Sequence, residues 1–402
     1  MFIVVQKFGG TSVANTDRIK KVAEIIANEK SKGSAIIAVV SAMSGVTDQM
    51  VNYAKSLSPV LSQNELAEYD AVISSGEQVT AGLLALALQS VGLKSRSFLG
   101  WQLPIVTDNA YSNGRIVSIG TTQLIEALKK EEIPVISGFQ GVYNERIVTL
   151  GRGGSDTTAT AVAAAVCADR CDIFTDVEGV FSADPRIVAK AKKIETIAYK
   201  QMLIMATAGA KVIHPRAVDI SLSHNLETHI LSSFSDTPGT ILVKDNKGVE
   251  RGSILAVVSD SNIVVITIFH LMNDNISINK ILDILGELAV PLEFLFGYNQ
   301  PALDVSFKFT VSKNNLPIVW NILNDLSLNF IIKDEIAKIT IVGNGLSENS
   351  IILQKMFQIL SDEGINIISA NTVSTNISII LEAKHKDVAT IGLHKGFGLD
   401  AI

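Results

Sequence analysis

A chain of 402 residues is longer than the roughly 250–300 residues at which one hydrophobic core stops growing, so two or three domains are expected. With 47% hydrophobic and 18% charged residues the composition is globular. A net charge of −6, with no dominant Lys/Arg cluster, excludes sequence-independent nucleic-acid binding. Mean hydropathy is +0.33, but apolar runs such as Ala35–Val40 fall far short of the ~20 residues of a membrane-spanning helix. Lys7 interrupts Met1–Val5, which has no basic segment before it and does not read as a secretory signal. Cys167 and Cys171 have no histidine nearby and form neither a zinc site nor a disulfide framework. The chain reads as soluble and cytoplasmic, with no membrane or nucleic-acid partner.

Phe2–Val5 is expected as a strand before a Gly-Gly turn, and Ile19, Val22, Ala23 and Ile26 form a helical stripe over Asp17–Lys30. Ala35–Val40 is an apolar strand. Helices at Gln78–Val91, Thr121–Lys130 and Thr157–Ala168 precede strands at Ser95–Leu99, Pro134–Ser137 and Asp172–Thr175. This alternation predicts an α/β sandwich, a mainly parallel sheet covered by helices on both faces. Residues 236–252, rich in Pro, Gly, Lys and Asp, read as a linker. Beyond it come strand Ile263–Phe269, helix Ser277–Leu288, strands Leu292–Phe296 and Asp304–Thr310, and helix Leu316–Leu326. A second round follows, with strand Lys338–Val342, helix Ser350–Glu363, strands Ile365–Ser369 and Ile377–Glu382, and helix Lys386–His394. The expected domains are 1–245, then two small α+β modules at 253–335 and 336–402.

Five segments carry candidate chemistry. Lys7-Phe8-Gly9-Gly10-Thr11-Ser12 places a cation and close-approaching backbone at a strand end, a phosphate cradle or simply a strand-end lysine before a tight turn. Gly151-Arg152-Gly153-Gly154-Ser155-Asp156 runs into an Ala/Val/Thr helix whose N-terminus attracts anions, and Arg152 can pair with a carboxylate. Its bland reading is a helix cap at Ser155 or Asp156. In Ser74-Ser75-Gly76-Glu77-Gln78, Ser75 and Gln78 fit a capping box, and Glu77 is either a first-turn carboxylate or a ligand for an ammonium group. Residues 174–186 and 209–216 are polar or basic loops after strands.

Together KFGGTSV (7–13), SAMSGVTD (41–48), SSGEQVTAGLLA (74–85), GWQLPIVTD (100–108), GFQGV (138–142), LGRGGSDTTA (150–159), TDVEGVFSADPR (175–186), GAKVIHP (209–215) and SSFSDTPGT (232–240) resemble the aspartate kinase branch of the amino-acid kinase superfamily. The resemblance implies ATP-dependent phosphorylation of the L-aspartate side-chain carboxylate, the entry to lysine, threonine, methionine and diaminopimelate synthesis. It implies that Lys7, Phe8, Gly9 and Gly10 hold the ATP phosphates, with Ser12 and Ser41 nearby. Thr47, Glu77, Arg152, Gly153, Gly154 and Ser155 would bind aspartate, Glu77 at its ammonium and Arg152 at its α-carboxylate. Lys7 and Asp156 would be catalytic, with Asp156 orienting groups around metal and phosphate. Thr175, Asp176, Phe181, Asp184, Arg186 and Lys211 would line the nucleotide site. The family usually has tyrosine where Phe181 stands, which removes a hydroxyl contact. Mg²⁺ is expected with ATP, without a dedicated protein ligand set. An acceptor carboxylate with a pKa near ~3.9 needs no general base, and none of the 6 histidines lies in the phosphate or carboxylate loops.

The same resemblance makes residues 253–402 paired ACT modules, amino-acid-binding units of ferredoxin-like build that join subunits into a homo-oligomer. Asn273-Asp274-Asn275-Ile276 and Ser347-Glu348-Asn349-Ser350 replace the family's Pro-Gly turns, and Val373-Ser374-Thr375-Asn376 replaces a segment that often holds a glutamate. Lysine or threonine feedback therefore stands beside a second expectation, a dimerisation scaffold with weakened effector binding. Two other classes remain on the residues alone: a kinase of a different acceptor, and a catalytically silent sensor.

Overall fold

The computed structural model describes residues 1–58, 63–244, 254–269, 275–287, 290, 292, 294–299 and 306–401. Two compact units divide the chain: Met1–Phe181 with Lys193–Thr207 and Lys211–Gly248, and Ser182–Lys192 with Ala208–Ala210 and Val249–Ile402. The expected block 1–245 is thus interrupted, because two loop segments belong to the second unit.

In the first unit β1 (Ile3–Phe8) leads to α1 (Thr16–Ser31), capped by the Asn15 side chain, which accepts the Arg18 N–H at 2.9 Å. Next come β2 (Ala35–Val40), α2 (Val46–Leu57), α3 (Gln63–Ile73), α4 (Ser75–Ser90) and β3 (Ser95–Phe98). The short strands β4 (Ile105–Thr107) and β5 (Ile116–Ile119) precede α5 (Thr122–Lys129) and β6 (Ile133–Ser137). Then follow β7 (Gln140–Tyr143), β8 (Arg146–Thr149), α6 (Gly154–Ala165), β9 (Arg170–Thr175), β10 (Val180–Phe181), β11 (Lys193–Ile194) and β12 (Thr196–Ala198). The helices α7 (Tyr199–Ala208) and α8 (Pro215–His224) and the strands β13 (Thr228–Ser232) and β14 (Thr240–Val243) complete the unit.

The main sheet has the order β12-β14-β13-β9-β1-β2-β6-β3 and is parallel except at β13–β14. Strand alternation decides which side chains meet which layer. Val4 and Phe8 of β1 pack with Ile19, Val22 and Ile26 of α1 and Leu84 and Leu88 of α4. Lys7, between them, turns to the other face. A side sheet, β5-β4-β7-β8, was absent from the expected elements. Within the linker expected at 236–252, β14 is a strand paired to β12 and β13. The span Glu65–Ser90 is long and apolar enough to cross a membrane, yet 50% of its most apolar window is buried in the fold.

A polar network crosses the face toward α1. Arg170 donates to Asp172 at 2.7 and 2.9 Å and to Glu29 at 2.9 Å, and Gln6 donates to Asp172 at 3.2 Å. Asp172 is 1% exposed, so this carboxylate is tolerable only because it is paired.

In the second unit the strands are β15 (Ile254–Asp260), β16 (Ile263–Phe269), β17 (Phe294–Asn299), β18 (Ser306–Ser312), β19 (Asn329–Lys333), β20 (Ile336–Gly343), β21 (Ser369–Val373) and β22 (Asn376–Glu382). The helices are α9 (Asn275–Glu287), α10 (Leu316–Asp325), α11 (Ser350–Asp362) and α12 (Lys386–Gly396). They build two four-stranded antiparallel sheets, β17-β18-β16-β19 and β15-β20-β22-β21. The boundary expected at 335/336 needs correction: β15 pairs with β20, so residues 263–333 form one module inserted after the first strand of the other. The strand expected at Ile365–Ser369 begins only at Ser369, because Gly364 (φ +66°) and a turn follow α11. Asn273 and Asp274 of the variant effector segment lie outside the described residues, as does most of the linker after Lys244. Ser182 anchors the loop Ser182–Lys192 in this unit: its carbonyl accepts the Val257 N–H at 2.8 Å and its hydroxyl meets His394 Nε2 at 2.9 Å.

Replacing Arg170 with alanine leaves Asp172 buried without its close cation, while Glu29 keeps Lys32 at 3.0 Å. Arg170→Ala is expected to cost about 3–5 kcal/mol in a denaturant titration, and a loss below about 1 kcal/mol contradicts the account of the network.

Candidate active site

β1, β2, β6 and β9 run parallel and end on one edge of the sheet. The strand order reverses direction at β1, with β2 on one side and β9 on the other, and such switch points open a crevice at the carboxyl ends. A cavity of about 690 Å³ lies there, lined by residues of β1, the β2–α2 turn, α2, α3, α4 and the start of α6. Of the residues singled out in the sequence it brings together Lys7, Gly10, Ser41, Thr47, Glu77, Arg152, Gly153, Gly154, Ser155 and Asp156.

Lys7 Nζ lies 2.6 Å from Asp156 Oδ1, with the side chains 10% and 11% exposed. The other Asp156 oxygen accepts the His214 backbone N–H at 3.1 Å. Asp156 is therefore fixed on both sides and holds the ammonium at the cavity wall. Its helix starts earlier than the sequence suggested: α6 begins at Gly154, and Ser155 and Asp156 sit in the first turn rather than capping it. The cap residue is Gly153, at φ +67°, where a Cβ would overlap the His214 ring. Only glycine serves there. The segment Gly151–Asp156 thus presents a helix N-terminus to the cavity, a setting that favours anions.

Glu77 sits in α4, which also starts earlier than expected. Ser75 is inside the helix, where its hydroxyl donates to the Val72 carbonyl at 2.7 Å, so no capping box forms with Gln78. Glu77 is 4% exposed, and its Oε2 has no hydrogen-bond partner among the described residues. Burial pushes its carboxyl up to about 7, although a hydrogen bond from the Ala42 backbone pulls the other way. A carboxylate so placed gains from a cation. His214, which the burial of its ring keeps below the ordinary imidazole range, accepts the Arg216 N–H through Nδ1 at 3.4 Å.

Other expected residues fall elsewhere. The Phe8 ring is fully buried and stacks on Phe174 with centroids 4.8 Å apart, and the Gly9 amide already donates to the Phe174 carbonyl at 3.3 Å. Ser12 is buried and accepts from Ser233 Oγ at 2.7 Å. Thr175 and Asp176 follow Phe174 at the end of β9, Phe181 pairs in β10, and Lys211 is exposed; none of them lines this cavity. Asp184 and Arg186 belong to the second unit and pair with each other at 2.7 Å. Among the described residues no three His, Cys, Asp or Glu side chains gather as metal ligands.

Residues given no role from the sequence also line the cavity: Asp48, Val51 and Lys55 on α2, Tyr69 on α3, Ser112 and Phe139. Thr47, Val51 and Lys55 recur at i, i+4, i+8, a helical stripe readable in the sequence. Phe139 lies in the motif GFQGV (138–142), which gave it no role of its own. It takes φ +68° while its N–H donates to Thr158 Oγ1 at 3.1 Å.

Comparison with known proteins places this geometry in a family. The amino acid kinase family model matches residues 2–232, and an ACT domain model matches residues 339–397. The chain is 40% identical to an aspartokinase of Rickettsia felis, over 99% of each chain, and 37% identical to one of Geobacillus stearothermophilus, over 99% of this chain and 98% of that one. The crystal structure of E. coli aspartokinase III in complex with aspartate and ADP superposes with a TM-score of 0.83, covering 98% of this chain and 99% of that one at 24% identity. The chain belongs to the amino acid kinase family, in its aspartokinase branch, and carries a C-terminal ACT domain.

Proposed function

We propose that the chain transfers the γ-phosphoryl group of ATP to the side-chain carboxylate of L-aspartate, giving ADP and 4-phospho-L-aspartate. The observation that carries this reading is the buried Glu77 carboxylate, with an unpartnered oxygen, in one cavity with Arg152 and the Lys7–Asp156 pair. A zwitterionic amino acid needs an anion for its ammonium and a cation for its α-carboxylate, and Glu77 and Arg152 supply them. The second carboxylate is then left to meet the phosphate at Lys7 and the α6 N-terminus.

A carboxylate oxygen attacks the γ-phosphorus, and the bond to the β,γ-bridging oxygen breaks with its electron pair going to ADP. No proton moves, because the acceptor is already ionised. What the chain contributes is position and neutralisation: Lys7 faces the charge on the transferring group, while Asp156 keeps Lys7 in place. Magnesium brought in with ATP would draw on one or two carboxylates of the chain, Asp156 among those lining the cavity, and would neutralise phosphate charge. Thr47, Ser155 and the Gly153–Gly154 backbone complete the acceptor site. Thr175, Asp176, Phe181 and Lys211 serve the nucleotide.

The enzyme acts in the cytoplasm as a homo-oligomer joined through its ACT modules, where Trp320, Ile331, Ile351 and Phe357 expose apolar surface. Feedback by lysine or threonine is weakened. In support, Asn349 Oδ1 accepts the Ile351 N–H at 3.1 Å at the start of α11, so this N-terminal donor is already satisfied within the chain.

Lys7→Met is expected to keep the fold and lower kcat at least ~100-fold, and a near-wild-type turnover contradicts the role of Lys7. Only ionised Glu77 attracts an ammonium group, so its carboxyl near 7 makes aspartate binding pH-dependent. The apparent KM for aspartate should rise about tenfold from pH 8 to pH 6, and Glu77→Gln should flatten that profile at a raised KM. A flat wild-type profile contradicts the assignment. Millimolar lysine and threonine, singly and together, are expected to leave activity nearly unchanged; clear inhibition restores the feedback reading.

A further inference from the structure

Asp70 does not line the cavity. It lies on α3 with no exposed surface, and its carboxylate collects four hydrogen bonds from two distant segments. Oδ2 accepts the backbone N–H groups of Ser112 and Thr149, both at 2.8 Å. Oδ1 accepts the Thr149 hydroxyl at 2.7 Å and the Ser112 hydroxyl at 3.4 Å. Burial raises this carboxyl, and the four donors oppose the rise.

The two segments it ties are the ones that shape the arginine loop. Thr149 ends β8, and Leu150 and Gly151 alone separate it from Arg152. Ser112 lines the cavity and holds φ +67°, a conformation unfavourable for a residue with a side chain. Its loop backs directly onto Gly151, where a Cβ would stand 2.9 Å from Asn113 Oδ1 and 3.1 Å from the Ser112 carbonyl. The Gly114 N–H donates to the Thr149 carbonyl at 2.9 Å, closing the pair from the other side. One buried carboxylate therefore fixes the turn under Gly151 and the strand that delivers Arg152.

We propose that Asp70 is a positioning residue for the acceptor site: through Ser112 and Thr149 it sets the Gly151–Arg152 backbone so that the guanidinium meets the α-carboxylate of the amino acid. The inference rests on the reading of Arg152 given above. Its mark is selectivity. Loss of Asp70 impairs acceptor binding, while the nucleotide side, built on β1 and β9, is spared.

Asp70→Ala removes the acceptor for two buried N–H groups. Asp70→Asn can turn its oxygen to both N–H groups and its amide to both hydroxyls, and so restores the geometry. In steady-state kinetics Asp70→Ala should raise KM for L-aspartate about tenfold or more, with kcat and KM for ATP within about twofold, and Asp70→Asn should return KM to within about threefold of wild type. Thr149→Val keeps the carboxylate, drops one hydroxyl bond, and should shift the same KM in the same direction; it serves if Asp70→Ala does not fold. In the Arg152→Ala background Asp70→Asn and Thr149→Val should add nothing further to KM. Unchanged KM for aspartate in Asp70→Ala or Thr149→Val, or effects fully additive with Arg152→Ala, overturn the inference alone. An Arg152→Ala variant with normal KM for aspartate removes the acceptor-site reading and this inference with it.

Discussion

A single ion pair, Lys7 to Asp156, fixes the geometry on which the rest of the site depends. It joins the strand β1 at the middle of the main sheet to the first turn of α6 on one face. Two simple constraints put it there. Strand alternation sends Val4 and Phe8 into the core with α1 and α4, leaving Lys7 on the opposite face. The left-handed glycine at 153 starts α6 early enough that Asp156 reaches Lys7 from the helix N-terminus. The cation and the helix end then address the same anion, in a cleft of lower polarisability than water where each acts more strongly than it would at the surface.

The buried carboxylates sort by how well they are satisfied. Asp172 is held by Arg170 and Gln6, Asp70 by four donors, and Asp156 by Lys7 and the His214 N–H. Each of these completes a structural link between segments far apart in the chain. Glu77 differs, being equally buried yet left with an oxygen that no described group serves. Desolvating a carboxylate without pairing it is costly, so the folded chain carries at Glu77 a deficit that a ligand cation removes. Binding and folding are written in the same chemistry at these positions, and the difference lies in whether the chain or the substrate brings the partner.

How much of this was legible in sequence depended on range. Local signals worked: Ala35–Val40 is a strand with the bounds read from its apolar run, and α1 buries Ile19, Val22, Ala23 and Ile26 at the spacing that predicted it. Glycine-rich starts misled. Gly76 and Gly153–Gly154 read as loop, yet α4 and α6 begin among them. The side sheet escaped because its strands are three or four residues long, too short for alternation to register. The interleaving of the two small modules was invisible for a different reason, since the partner of β15 lies some 80 residues away and no local pattern records a pairing. At the site, the clustering of Lys7, Glu77, Arg152 and Asp156 is in the family motifs, whereas Asp70 is an ordinary aspartate until its four donors are seen around it.

The central claim is that this cleft joins a terminal phosphoryl group to an amino acid already ionised at the reacting carboxylate. Trapping the mixed anhydride with hydroxylamine tests it most directly, using the full chain with ATP, magnesium and, separately, L-aspartate, L-glutamate and N-acetyl-L-glutamate. The account predicts a hydroxamate from aspartate far in excess of the other two. No hydroxamate from aspartate, or a larger yield from another acceptor, contradicts it.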